Sequence, residues 1–260
     1  MNVNKFITTG FLLLLSGLIF GQNIENKKGK EVMVKEITYH VDGQRLVAYL
    51  AYEDNNTKKP GVIVVHEWTG LNDYAKKRAR DLATEGYIAL AIDMYGDGKE
   101  IDVSKARQMS SKVGSDFDLI KKRFNAGLDV LKSQPNVDTS RLGAIGYCFG
   151  GGIVLNMARM GVDLKGIVSF HGTINTGLNA KPGDIKTKLL VIQGQGDPVT
   201  PPERQEAFKQ EMSNAKADYK YIIYPGVNAH NFTNPSGQTF YPEEASQAWK
   251  EMLVFFKENL

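Results

Sequence analysis

The sequence predicts an α/β protein with a mostly parallel central sheet, helices on both faces of that sheet and an antiparallel hairpin on its N-terminal side. From residue 61 onward, short apolar runs alternate with amphipathic stretches of helical length, which is the pattern of strand–helix–strand units. The apolar runs are continuous rather than alternating, as expected for parallel strands buried on both faces. Ahead of them, apolar and polar residues alternate on either side of Asp42-Gly43, a pair typical of a hairpin turn.

The individual elements follow from these patterns in chain order. The hairpin is predicted over residues 31–40 and 44–52. The buried strands are predicted over residues 62–66, 88–92, 142–147, 166–171, 189–193 and 219–224, and the helices over 72–85, 103–112, 117–133, 152–160, 202–214 and 242–259. Pro202 and Pro242 mark helix starts, because the first turn of a helix does not use the N–H that proline lacks. Residues 96–115 and 173–186 are the least regular, and we expect them to shape a ligand pocket.

The N-terminal segment has the features of a secretory signal. Lys5 supplies a positive charge ahead of the apolar stretch 6–20, and Gly21 offers a small residue at the cleavage position. The stretch is short for a spanning helix, with an uncleaved anchor as the alternative. The sequence therefore predicts a signal peptide over 1–21, a linker over 22–30 and a single domain over 31–260. The protein is expected to be periplasmic or secreted, with no membrane partner after signal cleavage.

Composition excludes some classes of partner. The chain has 32 Lys and Arg residues against 29 Asp and Glu residues, a net charge of +3 that falls to +2 when Lys5 leaves with the signal. No basic run interleaved with aromatic residues is present, which argues against a nucleic-acid partner. The single cysteine, Cys148, excludes an internal disulfide, and a lone thiol in an oxidising compartment favours a functional role for it.

Cys148 lies in a stretch that predicts a nucleophile elbow. The sequence Gly-Tyr-Cys-Phe-Gly-Gly occupies residues 146–151, after a predicted strand and before a predicted helix. Glycines two before and two after the nucleophile suit a turn too tight for flanking side chains. The N-terminus of the following helix favours the thiolate. In α/β-hydrolases a serine usually stands at this position, and a buried structural cysteine is the alternative interpretation.

A cysteine nucleophile needs a base and an orienting acid, which α/β-hydrolases supply in the chain order nucleophile, acid, histidine. Asp197 follows a predicted strand in the turn Gly-Gln-Gly-Asp-Pro at 194–198, although an aspartate there can also be only a turn former. His230 lies in the loop before the last helix and is the histidine in the third position. Of the others, His40 is expected on the exposed hairpin, His66 in a structural position and His171 at the pocket.

Glu67 is a carboxylate at the end of a buried strand, where it needs a partner or a function. It either caps the loop or pairs with a cation, or it contacts the Cys148 thiol and manages its proton. His66-Glu67 does not begin a zinc motif, because Gly70 stands where the second histidine would be. The sequence predicts no metal site and no cofactor.

The chain resembles the dienelactone hydrolase family of α/β-hydrolases over residues 31–260. The resemblance rests on four motifs in order, at residues 66–72, 146–151, 194–197 and 230–232. It implies a triad of Cys148, His230 and Asp197. It also implies that Glu67 hydrogen-bonds the resting thiol and draws off its proton. The oxyanion hole would be the backbone N–H groups of Phe149 and Trp68.

The resemblance is weaker at the substrate. Founding members of the family hold a substrate carboxylate with two arginines, and one of these positions, four residues after the catalytic histidine, is Asn234 here. Arg107 is a match for the other. The residues expected to bind substrate are Trp68, Tyr95, Arg107, Tyr147, His171 and Asn234. For the aromatic residues Trp68, Tyr95 and Tyr147, packing in the core is the equal alternative.

Together these features predict an exported hydrolase of small-molecule esters or lactones, with unknown natural substrate and oligomeric state. One alternative is a non-catalytic ligand-binding module on a hydrolase scaffold. Another is thiol-dependent peptide or acyl-transfer chemistry. Esters and lactones are favoured because a thiolate leaves readily, so that an attacked amide would tend to revert.

Overall fold

One mixed sheet of nine strands runs through the part of the chain that the computed structural model describes, which comprises residues 22–25, 31–237 and 239–260. The strands are β1 (Gln22–Glu25), β2 (Glu31–Val41), β3 (Gln44–Glu53), β4 (Lys59–Val65), β5 (Ile88–Ile92), β6 (Val137–Tyr147), β7 (Gly166–Phe170), β8 (Lys188–Gly194) and β9 (Tyr219–Tyr224). Their order across the sheet is β1-β2-β3-β5-β4-β6-β7-β8-β9.

The predicted hairpin is confirmed at the antiparallel side of this sheet. β2 and β3 pair from Val41 opposite Gln44 onward. Asp42 and Gly43 between them both have positive φ angles, of 48° and 79°, as the favoured two-residue hairpin turns require. β3 then pairs antiparallel with β5, which joins the hairpin to the rest of the sheet.

β1 corrects the predicted linker over residues 22–30, because its four residues form an edge strand. Gln22 lies opposite Val34 and Glu25 opposite Glu31 in an antiparallel pair with β2. β1 covers only residues 31–34 of the eleven-residue β2, so it pairs the N–H and C=O groups at that end of the strand's outer edge. The predicted signal peptide (1–21) and the remaining linker residues (26–30) lie outside the described residues.

Each neighbouring pair in the part of the sheet with the order β5-β4-β6-β7-β8-β9 is parallel. Along the chain, these strands alternate with helices. The helices are α1 (Asp73–Thr84), α2 (Val103–Ser115), α3 (Phe117–Lys132), α4 (Phe149–Arg159), α5 (Pro202–Asn214) and α6 (Pro242–Asn259). None of these helices in the described ranges combines the length and the apolar character that crossing a membrane requires.

Two apolar cores cover the two faces of the sheet. Side chains from α2, α3, α4 and α5 pack on one face, and side chains from α1 and α6 pack on the other. Along β6, Ala144 belongs to the first core and its neighbour Ile145 to the second, because successive side chains of a strand point to opposite faces. The predicted fold class is confirmed: a mostly parallel sheet with helices on both faces and an N-terminal hairpin.

The parallel strands bring the sequence-predicted functional residues to one edge of the sheet. Glu67 follows β4, Cys148 follows β6, Asp197 follows β8 and His230 follows β9. Since all four strands are parallel, their carboxyl ends lie at the same edge. Residues separated by more than 160 positions in the sequence therefore meet there.

Candidate active site

Cys148 occupies a sharp turn between β6 and α4, with a φ angle of 53°. Such an angle is strained for a residue with a side chain and persists only when its surroundings require it. A Cβ atom on Gly146 would lie 2.1 Å from the carbonyl oxygen of Gly150, and one on Gly150 would lie 2.3 Å from that of Val65. Only glycine fits at either position, as the sequence analysis expects of a nucleophile elbow.

Backbone hydrogen bonds hold the turn in this conformation. The N–H of Cys148 donates to the carbonyl oxygen of Phe170 at 3.1 Å, and its own carbonyl accepts from the N–H groups of Gly152 and Thr173, both at 3.2 Å. The thiol is partly exposed. Its backbone is thus fixed by two neighbouring segments, while its sulfur remains accessible.

Asp197 and His230 form a hydrogen-bonded pair beside this turn. Oδ2 of Asp197 lies 2.8 Å from Nδ1 of His230, and Oδ1 accepts the N–H of Val199 at 2.8 Å. Asp197 is fully buried, yet the hydrogen bond and the charge of His230 outweigh that burial and lower its carboxyl pKa. The carboxylate is therefore ionised and fixes the orientation of the imidazole ring.

His230 is held in its protonated form at neutral pH. Burial lowers its pKa, but the hydrogen bond that Nδ1 donates to Asp197 and the interaction with Cys148 raise it, to about 10. Nε2, the nitrogen opposite Asp197, is buried and has no hydrogen-bond partner among the described residues.

Gln205 supports the loop that carries Asp197, and sequence reasoning did not identify it. This buried side chain on α5 donates from Nε2 to the carbonyl oxygens of Gly194 at 3.1 Å and Thr200 at 2.7 Å. These two carbonyls flank Asp197 in the chain. A glutamine in a helix's first turn carries no signal in the sequence that would distinguish it from a solvent-exposed residue.

Glu67 lies in a buried position and pairs with Asn234, which the sequence analysis treats separately. Its Oε2 atom accepts a hydrogen bond of 2.7 Å from the Asn234 amide. Burial raises the pKa of the Glu67 carboxyl, against the opposing effects of Asn234, Asn72 and the charge of His230. Within the described chain, no hydrogen bond joins this carboxylate to the Cys148 thiol.

A cavity of about 470 Å³ opens at the thiol. Its walls come from α2, α4 and the segment after β7, and its lining residues are Trp68, Arg107, Ser110, Ser111, Gly114, Ser115, Cys148, Phe149, Gly152, Ile153, Asn156, Thr173 and Thr176. The backbone N–H groups of Trp68 and Phe149 have no hydrogen-bond partners among the described residues. Two free donors thus border the cavity that holds the sulfur, an arrangement suited to an oxyanion. Both segments that the sequence analysis expects to shape the pocket contribute to it.

Two of the expected substrate-binding residues, Trp68 and Arg107, line this cavity, and two tyrosines do not. Tyr95 is buried, and its hydroxyl donates to the carbonyl oxygen of Trp68 at 3.0 Å. Tyr147 is also buried and stacks on Phe170, with ring centroids 4.7 Å apart. Tyr147 belongs to the core on the α1 and α6 side of the sheet, so its expected place in the pocket is corrected.

His171 and Asn234 are the other two expected pocket residues that lie outside the cavity lining. His171 is fully buried, and its Nε2 atom lies 2.7 Å from the hydroxyl of Thr233. The side-chain amide N–H of Asn234 donates to Glu67, and its side-chain carbonyl oxygen accepts the N–H of Ser236. Their expected place in the pocket is therefore corrected, because both residues are buried outside the cavity lining.

The remaining histidines lie where the sequence analysis expects them. His40 is exposed on β2. His66 is fully buried, with Nε2 accepting the N–H of Met94 at 3.1 Å and Nδ1 lying 2.6 Å from the carbonyl oxygen of Glu67. Within residues 22–25, 31–237 and 239–260, no group of three or more His, Cys, Asp or Glu side chains is arranged to hold a metal ion.

Comparison with known proteins gives a consistent result. Residues 46–260 match the dienelactone hydrolase family. A Yersinia pestis protein named "Putative carboxymethylenebutenolidase" is 30% identical over 243 residues, which cover 86% of this chain and 88% of that protein. The structure of m3DLH is similar with a TM-score of 0.82 and 35% identity, covering 88% of this chain and 99% of the other. That of a dienelactone hydrolase-like promiscuous phosphotriesterase from metagenomic libraries has a TM-score of 0.80 and 32% identity, covering 88% and 98%.

Proposed function

This chain belongs to the dienelactone hydrolase family and is an ester or lactone hydrolase, and we propose that Cys148, His230 and Asp197 carry its reaction. The observation that supports this assignment is the 2.8 Å hydrogen bond between Asp197 and His230 beside a cysteine in a nucleophile elbow. The interaction with Cys148 raises the pKa of His230, so the thiol and the ring influence each other. Each member of a nucleophile–base–acid triad is therefore present in a suitable environment.

In the proposed reaction, the thiolate of Cys148 attacks the substrate carbonyl carbon and forms a C–S bond. The carbonyl oxygen becomes an oxyanion held by the N–H groups of Phe149 and Trp68. Collapse of this intermediate breaks the C–O bond of the ester, and the departing alkoxide takes the proton from His230. Water, deprotonated by the now neutral His230, attacks the thioester, which releases the acid and restores the thiolate. A lactone follows the same steps and leaves as one hydroxy acid.

We also propose that Glu67 takes up the thiol proton when substrate arrives. Its support is the raised pKa of this buried carboxyl, which makes it a better proton acceptor than an exposed glutamate. The Asn234 amide holds the carboxylate at the edge of the site. In this proposal Asn234 acts on Glu67 and does not bind substrate.

Arg107 is the cation on the cavity wall, and it favours substrates with one anionic group. The lining also includes Trp68, Phe149 and Ile153, which suit an apolar or aromatic portion of the substrate. The position of the second family arginine is Asn234, which is buried and paired with Glu67. We therefore expect the substrate to be a small ester or lactone that bears a carboxylate. One arginine, rather than two, would hold this carboxylate.

A second candidate activity is phosphotriester hydrolysis. Its support is the 32% identity and TM-score of 0.80 to the promiscuous phosphotriesterase. Here the thiolate of Cys148 would attack phosphorus and displace an aryloxide, and water would then break the S–P bond and return the thiolate. Paraoxon turnover that is lost in Cys148→Ala supports this activity, whereas ester turnover without paraoxon turnover excludes it.

The localisation that we propose is export, directed by residues 1–21. Its support is the charged, apolar and small-residue order of this segment. The test compares the full chain with a chain in which Leu13 and Leu14 are replaced by arginine, using cell fractionation and N-terminal sequencing of the product. For the full chain, we expect a product outside the cytoplasm whose N-terminus lies near Gln22. The arginine variant is not expected to give this product. Retention of both in the cytoplasm contradicts export.

The experiment that tests the catalytic proposal follows p-nitrophenyl acetate and butyrate hydrolysis by residues 22–260. Cys148→Ala is expected to lower kcat/KM by at least about 1,000-fold, while Ser213→Ala, on the exposed side of α5, leaves it unchanged. Equal slow release by both variants contradicts the proposal and favours the non-catalytic binding module. Amines added as competing acceptors separate hydrolysis from acyl transfer, because amide products appear only in the second case.

A further inference from the structure

Thr233, three residues after His230, is the most heavily anchored residue of the histidine loop. It is buried. Its carbonyl oxygen accepts hydrogen bonds from the Tyr74 hydroxyl at 2.9 Å and from Nη2 of Arg78 at 3.2 Å. Its hydroxyl lies 2.8 Å from the Tyr74 hydroxyl and 2.7 Å from Nε2 of His171. Side chains from α1 and from the end of β7 thus converge on this residue.

His171 connects Thr233 to the catalytic base. Its ring meets the ring of His230 edge to face, with centroids 5.5 Å apart and an angle of 69° between the planes. Its φ angle is 38°, in the left-handed region that residues other than glycine rarely adopt. The backbone N–H of His171 donates to the carbonyl oxygen of Ile192 at 2.8 Å. The chain therefore holds this side chain against His230 in spite of an unfavourable backbone conformation.

The surroundings of His171 and His230 favour different protonation states for the two rings. Burial and the positive charge of His230 hold the pKa of His171 well below its ordinary value, so His171 is neutral beside a protonated His230. The titratable and charged groups that act on the pair are Asp197, Cys148 and Glu67 at His230, and Tyr147 and Arg78 at His171. Since His171 carries no charge, it can support the His230 ring without repelling the proton that the base must hold and return.

We propose that Thr233 and His171 are positioning residues that keep the His230 ring at Asp197 throughout the reaction. The inference rests on the proposed role of His230 as the base. When His230 gives up its proton, its charge-assisted bond to Asp197 weakens, and the edge contact with His171 then prevents the ring from turning away. Neither Thr233 nor His171 lines the cavity. Their loss therefore lowers kcat and leaves KM nearly unchanged.

The test is a matched pair of substitutions at one position. Thr233→Val keeps the shape of the side chain and removes its hydroxyl, whereas Thr233→Ser keeps the hydroxyl and removes a methyl group. We expect Thr233→Val to lower kcat on p-nitrophenyl acetate on the order of 10- to 100-fold, as for a misplaced catalytic group, with KM within about twofold of the parent. Thr233→Ser is expected to stay within about threefold of the parent in kcat.

The pH profile of Cys148 alkylation by iodoacetamide supplies a readout that needs no substrate. We expect the profile to shift in Thr233→Val and not in Thr233→Ser. Unchanged kcat and an unchanged profile in Thr233→Val overturn the inference, as do equal losses in both variants that parallel a fall in unfolding midpoint. If Thr233→Val does not fold, Tyr74→Phe removes the neighbouring hydroxyl and is expected to lower kcat severalfold, and no change in it also overturns the inference. Parent activity that survives Cys148→Ala refutes the proposed function itself, a result separate from these.

Discussion

Arg159 and Glu211 form a two-pronged ion pair inside the protein, with Nε to Oε1 and Nη2 to Oε2 distances of 2.8 Å each. Nη2 of Arg159 also donates to the carbonyl oxygen of Ile174 at 2.7 Å, and Oε1 of Glu211 accepts the N–H of Ala180 at 3.0 Å. The pair therefore attaches the segment after β7 to α4 and α5. Since Thr176 of this segment lines the cavity, the pair helps to define the cavity wall.

Glu211→Gln is expected to lower the free energy of unfolding by about 3–5 kcal/mol, because it leaves the buried Arg159 guanidinium without its counter-charge. The side chains of Arg159 and Glu211 are only 1% and 10% exposed. Glu206→Gln on the same helix is the control, since the Glu206 side chain is 72% exposed and its loss is expected to cost less than about 1 kcal/mol. Urea unfolding measures both, and equal effects would contradict a structural role for the buried pair.

Gly150→Ala is expected to lower the free energy of unfolding by at least about 3 kcal/mol, at the upper end of what overpacking costs. The added Cβ would lie 2.3 Å from a backbone oxygen, that of Val65, which cannot move without disturbing β4. Gly114→Ala in α2 is the contrasting change, because its Cβ would meet only Phe149, at 3.5 Å, and alanine favours helix by about 1 kcal/mol. Thermal unfolding should move down for the first variant and up for the second.

Asp197→Asn is expected to lower kcat on the order of 10⁴-fold, as the loss of an orienting carboxylate does in other triads. The hydrogen bond from His230 to Asp197 is the largest effect that raises the pKa of His230, so this pKa should fall from about 10 toward its ordinary value. The pH profile of thiol alkylation reports the fall. Asp218→Asn, whose side chain is 74% exposed, should behave as the parent, and an Asp197→Asn profile that matches it would refute the pairing.

The protonation of His230 makes stability depend on pH in a defined direction. The pKa of His230 is about 10 in the folded protein against an ordinary value of 6.5, so the folded state binds the proton more tightly than the unfolded state. This contribution to stability is fully present below pH 6.5 and is lost as the pH rises toward 10. Urea unfolding at pH 6, 8 and 10 should show a smaller decline for His230→Gln than for the parent. Parallel declines would mean that His230 is not the group responsible.

Asn234→Leu tests the coupling between Asn234 and Glu67. The Asn234 amide lowers the pKa of the Glu67 carboxyl, so its removal should raise that pKa further. If Glu67 must be ionised for turnover, the acid limb of the kcat/KM profile moves to higher pH. Asn234→Asp should move it further still, since a second carboxyl beside the first disfavours ionisation. An acid limb that stays in place in both variants would separate Glu67 from catalysis.

Where an element has sharp sequence boundaries, its predicted bounds and its observed bounds agree. α5 and α6 begin at Pro202 and Pro242, as expected for proline in a first helical turn. α4 begins at Phe149, three residues before its predicted start. The glycines at 150–152 suggest a loop when they are considered alone, but the elbow requires the helix to begin immediately after the nucleophile.

The site was less predictable where the face of the sheet decides the role of a residue. Side chains alternate along β6, so Ile145 and Tyr147 point to the same face of the sheet. No local sequence pattern indicates which face of the sheet holds the cavity. Cys148, Asp197 and His230 could be proposed together from the sequence because their turn chemistry and chain order are local signals. The contacts of Thr233, Gln205 and Arg159 depend on partners dozens of residues away, and nothing in their sequence neighbourhoods marks them.

The origin of the cavity walls has a consequence for how this protein can be altered. Apart from the elbow itself and Trp68, the lining comes from α2, α4 and the segment after β7, whereas Asp197 and His230 belong to loops after β8 and β9. Most of the cavity lining and the proposed acid and base thus come from different stretches of chain. Exchanging residues 103–115 with those of a relative should alter which compounds are accepted while Asp197 and His230 stay in place, which makes α2 the first target for redesign.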